Sequence, residues 1–306
     1  LIYPPNQLLL METPRPDGSL GLLYLAGALE QAGYETDVLD ASVGTKDDNL
    51  EDTFNHQVRQ ANGLIRIGMS PERIKEFITK GAYDIIGINS NFTSQTSMAF
   101  DVAQIAKSVN PKMLVIVGGV NARSLSERFL DNKNIDIVCL SEGEKIIIRL
   151  VEEWKKDSGW ENVSGIKYKK DGQHVTNPTA RDDIYLNLDE LPFPAWHKLN
   201  FDYYDKIAFS RGGGLNPKEA RYASLMTSRG CLFKCHYCHI SLEKEGSLNT
   251  GQIGSIRFKS VERVLEEVKR LRELKVKKLY FEDDCLLAKN DRIKIIFESV
   301  IDMGLE

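Results

Sequence analysis

The chain has 306 residues, of which 42% are hydrophobic and 27% are charged, a composition typical of a globular protein with two domains. The formal net charge is −4 and no apolar run reaches the roughly 20 residues that cross a bilayer, so we expect neither nucleic acid nor a membrane as a partner. The five cysteines, an odd number with three of them clustered, argue against a disulfide framework and indicate a reducing compartment. Without a signal peptide, the sequence predicts a cytoplasmic protein.

The first part of the chain alternates short apolar runs with amphipathic segments. Short β-branched runs predict buried parallel strands, and the segments between them predict helices on both faces of a sheet. We expect strands at Leu8–Met11, Thr36–Asp40, Asp84–Asn89, Leu114–Gly119 and Asp136–Leu140. We expect helices at Leu22–Gly33, Ser97–Val109 and Lys145–Lys156, with another beginning near Ser70-Pro71 inside a long connection from Thr45 to Gly81. This is the pattern of an α/β fold with a doubly wound, Rossmann-like domain over residues 1–156.

After residue 156 the alternation of strand and helix patterns stops. Gly165–Thr179 predicts a hairpin, and Asn187–Trp196 contains two prolines and predicts a docked linker, so residues 157–215 are expected to join two domains. Residues 216–306 predict a strand, a helix, a strand and a helix, at Tyr222–Thr227, Ser260–Val276, Lys278–Asp284 and from Asp291 to Gly304. Two βα units cannot close a barrel, so we expect that the C-terminal part of this domain is missing from the chain.

The segment CLFKCHYCHI holds three cysteines and two histidines between Cys231 and Ile240. Its C-x-x-C-H part matches the attachment pattern of c-type haem, but the third cysteine and the α/β setting argue against haem. The three cysteines and a histidine could supply the four ligands of a zinc site, but a structural zinc site normally pairs two knuckles from distant segments. The spacing C-x3-C-x2-C instead allows three thiolates on one tight loop to hold a four-iron cluster with one iron open. An iron–sulfur cluster is therefore favoured, with zinc and haem as alternatives.

Loops that follow the predicted strands of the first domain are rich in small residues. Ligands of open α/β sheets bind at the carboxyl ends of the strands, where small residues allow the backbone to approach a bulky ligand. The loops concerned are Thr13–Gly21, Ser90–Thr93, Gly118–Asn121 and Ser141–Glu144. A ligand site is expected along this edge, although the pair Gly118-Gly119 taken alone is only a weak signal.

Taken together, these motifs resemble the radical S-adenosylmethionine (radical SAM) enzymes that carry a cobalamin-binding domain, in the class of cobalamin-dependent methyltransferases. The cysteine spacing directly follows a strand and Thr227-Ser228-Arg229-Gly230, and the aromatic Tyr237 precedes the third cysteine, as is usual in that family. The features that resemble the cobalamin domain are Leu22–Gly33, Asp84–Ser90, Val117–Ala122, Ser141–Glu144 and the linker Leu188–Trp196. The resemblance covers nearly the whole chain and implies that residues 216–306 begin a partial (β/α) barrel.

The resemblance implies a set of cofactor-binding residues. Cys231, Cys235 and Cys238 would hold a [4Fe-4S] cluster whose open iron binds S-adenosylmethionine, and one electron would then cleave that molecule to a 5′-deoxyadenosyl radical. Further contacts to S-adenosylmethionine would come from Tyr237, Glu282, Asp283 and Asp284; a capped strand end with solvated carboxylates is the less favoured alternative for the three acidic residues. Contacts to cobalamin would come from Thr13, Gly18, Gly21, Ser90, Thr93, Gly118, Gly119, Asn121, Glu142 and Gly143.

One departure concerns the lower face of cobalamin. Many cobalamin domains supply an axial histidine from an Asp-x-His-x-x-Gly loop, and here Gly18 occupies the histidine position of Pro16–Gly21. No histidine occurs before His56, so bound cobalamin would lack a histidine ligand from this loop. Relatives that keep the domain without using the cofactor exist, and this departure removes the strongest sequence mark of binding.

The function that the resemblance implies is methyl transfer to an unactivated carbon of a small-molecule or peptide substrate, with an external electron donor such as a flavodoxin or ferredoxin. A second hypothesis is a radical SAM cyclase or rearranging enzyme that transfers no methyl group. A third is a non-catalytic iron–sulfur or zinc protein, which would form no deoxyadenosine from S-adenosylmethionine. No residue identifies the substrate or a catalytic acid or base.

Overall fold

The computed structural model describes residues 1–12, 19–207, 221–244 and 250–305. Strands within these ranges are β1 Ile2–Tyr3, β2 Asn6–Leu8, β3 Leu39–Asp40, β4 Gln57–Arg59, β5 Ile65–Ile67, β6 Ile85–Asn89, β7 Leu114–Gly118, β8 Ile137–Cys139, β9 Ile166–Lys170, β10 Gln173–Asn177, β11 Tyr222–Leu225, β12 Ser228–Arg229, β13 Arg257–Phe258 and β14 Lys278–Phe281. The helices there are α1 Leu20–Gln31, α2 Pro71–Gly81, α3 Thr96–Val109, α4 Val120–Ser124, α5 Ser126–Asp131, α6 Gly143–Lys155, α7 Phe201–Tyr204, α8 His239–Leu242, α9 Val261–Glu273 and α10 Asn290–Asp302.

The main sheet has the strand order β10-β9-β8-β7-β6-β1-β3, and its five strands from β8 to β3 are parallel. Alternate residues of β7 face opposite sides of this sheet. Val115 and Val117 pack in the core that contains α2 and α3, whereas Leu114 and Ile116 pack with Ile146 on α6. Helices therefore cover both faces, which confirms the predicted doubly wound α/β architecture.

The first strand is not where the sequence predicted it. Leu8–Met11 was expected to be the first buried strand, but Ile2–Tyr3 forms that strand, between β3 and β6. Pro4 and Pro5 follow at once and lack the N–H groups that would continue the ladder. The chain then pairs β2 with β5 in a separate three-stranded sheet, and Leu10 and Met11 are 66% and 96% exposed. Leu8–Met11, the stronger apolar run, therefore lies outside the main sheet, in the segment where the chain leaves it.

Other predicted elements are found close to their expected positions. The hairpin of β9 and β10 turns at Asp171 and Gly172, which both have positive φ, and β9 pairs with β8 so that the hairpin extends the main sheet. The long connection contains β4, β5 and α2, and Ser70 caps α2 by accepting a hydrogen bond from the backbone N–H of Arg73 at 3.3 Å. The domain boundaries at residues 156 and 215 stay a prediction.

The third part of the chain packs directly on the first. Strands β11 and β14 are parallel, as expected for the start of a βα series, and α9 and α10 pack with them in one core. Leu20, Leu23 and Tyr24 of α1 belong to the same core. The linker runs along α1, where a Cβ on Gly27 would lie 2.0 Å from the carbonyl oxygen of Phe193. Only glycine permits this contact, and it fixes the linker against the first domain.

In the described ranges, no helix combines the length and the apolar character that a membrane span requires.

Candidate functional site

A cavity of about 200 Å³ lies between the main sheet and the helices α1 and α6. Its apolar lining comes from both helices and from the sheet, and includes Leu22, Leu25, Ile88, Ile116 and Leu150. Its polar lining consists of Asn89, Asn91, Arg123, Ser141, Glu142, Glu144 and Arg229, together with the thiol of Cys139. The cavity thus combines an apolar interior with a limited set of polar groups, which is the usual make-up of a small-molecule site.

Five of the residues predicted from the strand-end loops line this cavity: Gly21, Gly118, Gly119, Glu142 and Gly143. The others do not. Ser90 and Asn121 are buried and bond to each other, with the Asn121 amide donating to Ser90 Oγ at 2.9 Å, and Thr93 is exposed. Thr13 and Gly18 lie outside the described residues.

Gly119 forms the tightest part of the loop after β7. Its φ is +103°, and a Cβ there would lie 2.6 Å from the carbonyl oxygen of Ser90 and 2.5 Å from Asn91 Oδ1. Only glycine at position 119 therefore allows this loop to lie so close to Ser90 and Asn91. The backbone of Gly118 and Gly119 lines the cavity.

We predict that Gly119→Ala lowers the free energy of unfolding by more than Gly33→Ala does. Both positions have positive φ, which costs a side chain about 1–2 kcal/mol, but a Cβ on Gly33 meets nothing within 4 Å. Urea unfolding of the two variants measures the difference, which is expected to be at least about 1 kcal/mol because only Gly119→Ala also forces a backbone clash. Equal losses would contradict the close approach at Gly119.

Two buried oxygen atoms of the cavity lining, Asn89 Oδ1 and Glu144 Oε2, accept no hydrogen bond from any described residue. An unsatisfied buried acceptor costs about 1–3 kcal/mol, so native proteins rarely keep one without a reason. Both atoms are suited to accept N–H groups from a bound molecule.

Opposite charges meet beside the cavity in a buried cluster. Arg229 contacts Glu142 at 3.2 Å and Glu144 at 2.5 Å, and Arg257 donates to Glu142 Oε2 at 3.0 Å. Burial alone would lower the pKa of Arg229, but the two carboxylates hold it above its usual value. Burial would likewise raise the pKa of Glu142, but Arg229 and Arg257 hold it below its usual value. Arg229 and Glu142 are therefore both ionised at neutral pH.

Cys139 ends β8 and its thiol is buried in the cavity wall. Burial raises the pKa of this thiol to about 11, which keeps it protonated at neutral pH and removes the reactive thiolate.

We predict that Cys139 resists alkylation while the cluster cysteines react. In iron-free protein at pH 8, iodoacetamide is expected to modify Cys231, Cys235 and Cys238, which are partly exposed, at least about a hundredfold faster than Cys139. Peptide mass spectrometry over time gives the four rates. The matched control is the same reaction in denaturant, where all should react alike; equally fast labelling of Cys139 in the folded protein would show that its thiol is accessible.

The three cysteines predicted to bind a cluster lie on one loop between β12 and α8. All are free thiols with partial exposure, and the backbone N–H of Cys238 donates to the carbonyl of Cys235 at 3.1 Å. The loop begins at Gly230, whose φ is +81°, and is anchored where the N–H of Cys231 donates to the carbonyl of Gly254 at 3.2 Å. No group of His, Cys, Asp and Glu in the described ranges is arranged to hold a single metal ion. Three partly exposed thiols on one loop match, in number and chemistry, the protein ligands of a four-iron cluster with one open iron.

The predicted contacts to S-adenosylmethionine are in different environments. Tyr237 is 92% exposed, and Glu282 is partly buried just after β14. Asp283 accepts hydrogen bonds from the Thr227 hydroxyl at 2.7 Å and the Ser228 hydroxyl at 2.5 Å, so its carboxylate holds the strand that leads into the cysteine loop. Asp284 follows Asp283, and desolvation raises the pKa of its carboxyl group.

A second buried cluster joins the two parts of the chain. Lys259 is 1% exposed; its Nζ donates to both carboxylate oxygens of Glu267 at 2.6 Å and to the Tyr24 hydroxyl at 2.6 Å. Arg263 also contacts Glu267, at 3.2 Å. Burial lowers the pKa of Lys259 to about 8 and Glu267 opposes that change. One carboxylate therefore compensates two cations in the interior.

Sequence reasoning missed four polar groups of the site: Asn89, Arg123, Cys139 and Arg229. Asn89 and Cys139 end β6 and β8, so the rule of strand ends could have identified them. Arg123 carried no local signal, and Arg229 was noted only as part of the stretch before the cysteines, because the ion pairs of both residues are with partners far away in the sequence.

Comparison with known proteins gives one family match and several relatives. Residues 18–151 match the family described as the B12 binding domain. The chain is 29% identical to cytidylyl-2-hydroxyethylphosphonate methyltransferase of Streptomyces wedmorensis and 29% identical to an uncharacterized methyltransferase of Pyrococcus horikoshii, matching over 100% of its own length. It spans only 58% and 57% of those relatives. It is also 28% identical, over 70% of its length and 33% of the relative, to the anaerobic magnesium-protoporphyrin IX monomethyl ester cyclase of Rubrivivax gelatinosus.

Two solved structures share the fold. The cobalamin-dependent S-adenosylmethionine radical enzyme OxsB, with aqua-cobalamin and S-adenosylmethionine bound, aligns with a TM-score of 0.67 at 22% identity and covers 98% of this chain and 36% of its own. The radical S-adenosylmethionine methyltransferase TsrM of Kitasatospora setae, with tryptophan and an S-adenosylmethionine analogue bound, aligns with a TM-score of 0.67 at 14% identity and covers 99% of this chain and 50% of its own.

Proposed function

We propose that this chain, whose residues 18–151 match the B12 binding domain family and which is 29% identical to a curated methyltransferase, is a cobalamin-dependent radical SAM methyltransferase that uses cobalamin, a [4Fe-4S] cluster and S-adenosylmethionine. The observation that carries the proposal is the cavity beside the matched domain's sheet, with its open glycine backbone and unsatisfied acceptors. The substrate would be a small molecule or peptide with an unactivated carbon.

Cobalamin suits the cavity by its chemistry. The cofactor is a large corrin ring with a nucleotide tail and several amide side chains. The apolar part of the cavity has room for a flat heterocyclic base, and Asn89 Oδ1 and Glu144 Oε2 could accept amide N–H groups. The backbone at Gly118 and Gly119 would contact the tail, because both residues line the cavity and carry no side chain of their own.

The cysteine loop suits an iron–sulfur cluster with three protein ligands. Cys231, Cys235 and Cys238 would supply thiolates, and Asp283 would fix the strand before them through Thr227 and Ser228. The five free cysteines accord with a reducing, cytoplasmic setting, and a flavodoxin or ferredoxin would deliver the electron.

When bound, these cofactors would supply one-electron cleavage of S-adenosylmethionine, hydrogen abstraction from the substrate and a transferable methyl group. This chain's own residues would bind and orient them. The Gly118-Gly119 backbone and the Asn89 and Glu144 oxygens would hold cobalamin, and the apolar lining would exclude water from its tail.

A second function is favoured by one relative. The magnesium-protoporphyrin ester cyclase matches 70% of this chain, and its name describes ring closure rather than methyl transfer. A cyclase would use the same cofactor residues, so the cavity does not separate the two functions. Product mass does, because methylation adds one carbon to the substrate.

The first experiment is elemental analysis of the full-length protein, purified without oxygen from cells supplied with cobalamin. We expect about four irons per chain from the cluster and cobalt from cobalamin, with deoxyadenosine formed when S-adenosylmethionine and a reductant are added. Four irons without cobalt would exclude the cobalamin-dependent version. Zinc without iron, and no deoxyadenosine, would exclude radical chemistry altogether and favour a non-catalytic protein.

A further inference from the structure

The cluster loop, residues 231–238, is joined on its N-terminal side to the wall of the cavity. Arg229 lies in β12, two residues before Cys231, and its side chain is 11% exposed. Its guanidinium contacts Glu142 and Glu144, which stand at the start of α6 in the first domain. All three residues line the cavity, so the strand that leads into the loop is bonded to the groups that would contact its occupant.

The C-terminal side of the loop is joined to the cavity by a separate ion pair. Glu243 directly follows α8, and its carboxylate accepts a hydrogen bond from Arg123 Nε at 2.7 Å. Arg123 lies on α4, just after Gly118 and Gly119, and also lines the cavity. The side chains of Arg123 and Glu243 are 14% and 6% exposed.

Burial matters for what these pairs can do. An exposed ion pair contributes little and tolerates movement, but removing one partner of a buried pair leaves an uncompensated charge. The two contacts therefore restrain the loop from both sides against the same cavity. The restraint has a chemical use, because a displacement of about 1 Å between reacting groups can slow a reaction a hundredfold.

We propose that Arg123, Glu243 and Arg229 are positioning residues, which hold the cluster loop at a fixed place relative to the molecule bound in the cavity. The inference rests on the proposed function only for the identity of that molecule and of the cluster. Glu144 contacts Arg229 and also lines the cavity. A molecule bound in the cavity is therefore expected to make the cluster loop more ordered.

The test is a charge-reversal cycle in the full-length, cluster-containing protein, handled without oxygen. Three variants are compared with the wild type: Arg123→Glu, Glu243→Arg and the double reversal. Hydrogen–deuterium exchange of residues 231–244 is followed by mass spectrometry, before and after addition of hydroxocobalamin. Reversal of the exposed pair Lys294–Glu298 on α10 is the matched control for a change of charge alone.

Each single reversal is expected to accelerate exchange of residues 231–244 at least about tenfold, which corresponds to about 1.4 kcal/mol of local opening. The double reversal restores the pair and is expected to bring exchange back to within about threefold of the wild type. Hydroxocobalamin is expected to slow exchange of this segment in the wild type but not in Glu243→Arg, whose altered side chain lies outside the cavity lining. The control reversal should leave the segment unchanged.

Single variants that exchange like the wild type, or a double variant as fast as either single, would overturn the positioning role. If a single variant unfolds, exchange rises also in β6 and β7, and Glu243→Gln then takes its place, with a rise expected only in residues 231–244. A wild type whose hydroxocobalamin absorbance and exchange both stay unchanged would refute cobalamin binding. The reversal cycle without cobalamin would still decide whether the ion pair positions the loop.

Discussion

Replacing Glu267 by glutamine is expected to lower the free energy of unfolding by about 3–5 kcal/mol, the usual cost of removing one partner of a buried ion pair. Lys259 and Arg263 both depend on this carboxylate, and Lys259 is almost completely buried. Glutamine keeps the shape of the side chain and removes only its charge. Two cations would then remain in the interior without a compensating anion, in a core that joins α1 to α9.

Chemical denaturation of the wild type and Glu267→Gln measures the loss. The matched control is Glu266→Gln on the same helix, because Glu266 is 54% exposed and its pair with Arg270 should change stability by less than about 1 kcal/mol. A double variant, Lys259→Met with Glu267→Leu, removes both charges and is expected to be clearly more stable than Glu267→Gln. If Glu267→Gln unfolds at the same denaturant concentration as the control, the ion pairs of Glu267 do not contribute the expected free energy of unfolding.

Cys235→Ser is expected to abolish deoxyadenosine formation and to reduce bound iron to a small fraction of the wild-type content. A cluster held by three thiolates cannot be kept by two, because a serine hydroxyl is a much poorer ligand for iron. Iron analysis and chromatographic detection of deoxyadenosine, both under anaerobic conditions, provide the measurement.

The chain offers a matched control in Cys285→Ser. Cys285 is also partly exposed and follows β14, but it lies outside the three-cysteine spacing. This variant should keep the wild-type iron content. A Cys235→Ser protein that retains four irons and still cleaves S-adenosylmethionine would exclude this cysteine as a ligand, and a loss of iron from Cys285→Ser would bring a further thiol into the site.

Prediction of the fold from sequence succeeded where the signal is local. The spacing of apolar residues identified α3 and α9, because a helix buries one face whatever it packs on, and the cap at Ser70-Pro71 identified the start of α2. It failed at β1, where the two residues Ile2 and Tyr3 form the strand and the stronger apolar run Leu8–Met11 does not. Two residues carry no periodicity, and their place depends on β3 and β6, which pair with them from much later in the chain.

The residues of the candidate site also fall into those with a local sequence signal and those without one. The sequence by itself determined the three cysteines and their spacing, and the glycines of the Gly118-Gly119 loop, because these features depend on neighbouring residues alone. Only the tertiary structure brought Arg123 to Glu243 and Arg229 to Glu142 and Glu144. Pairs so far apart in sequence leave no local pattern, because the residues around an arginine do not show whether folding will expose it or bury it beside a carboxylate.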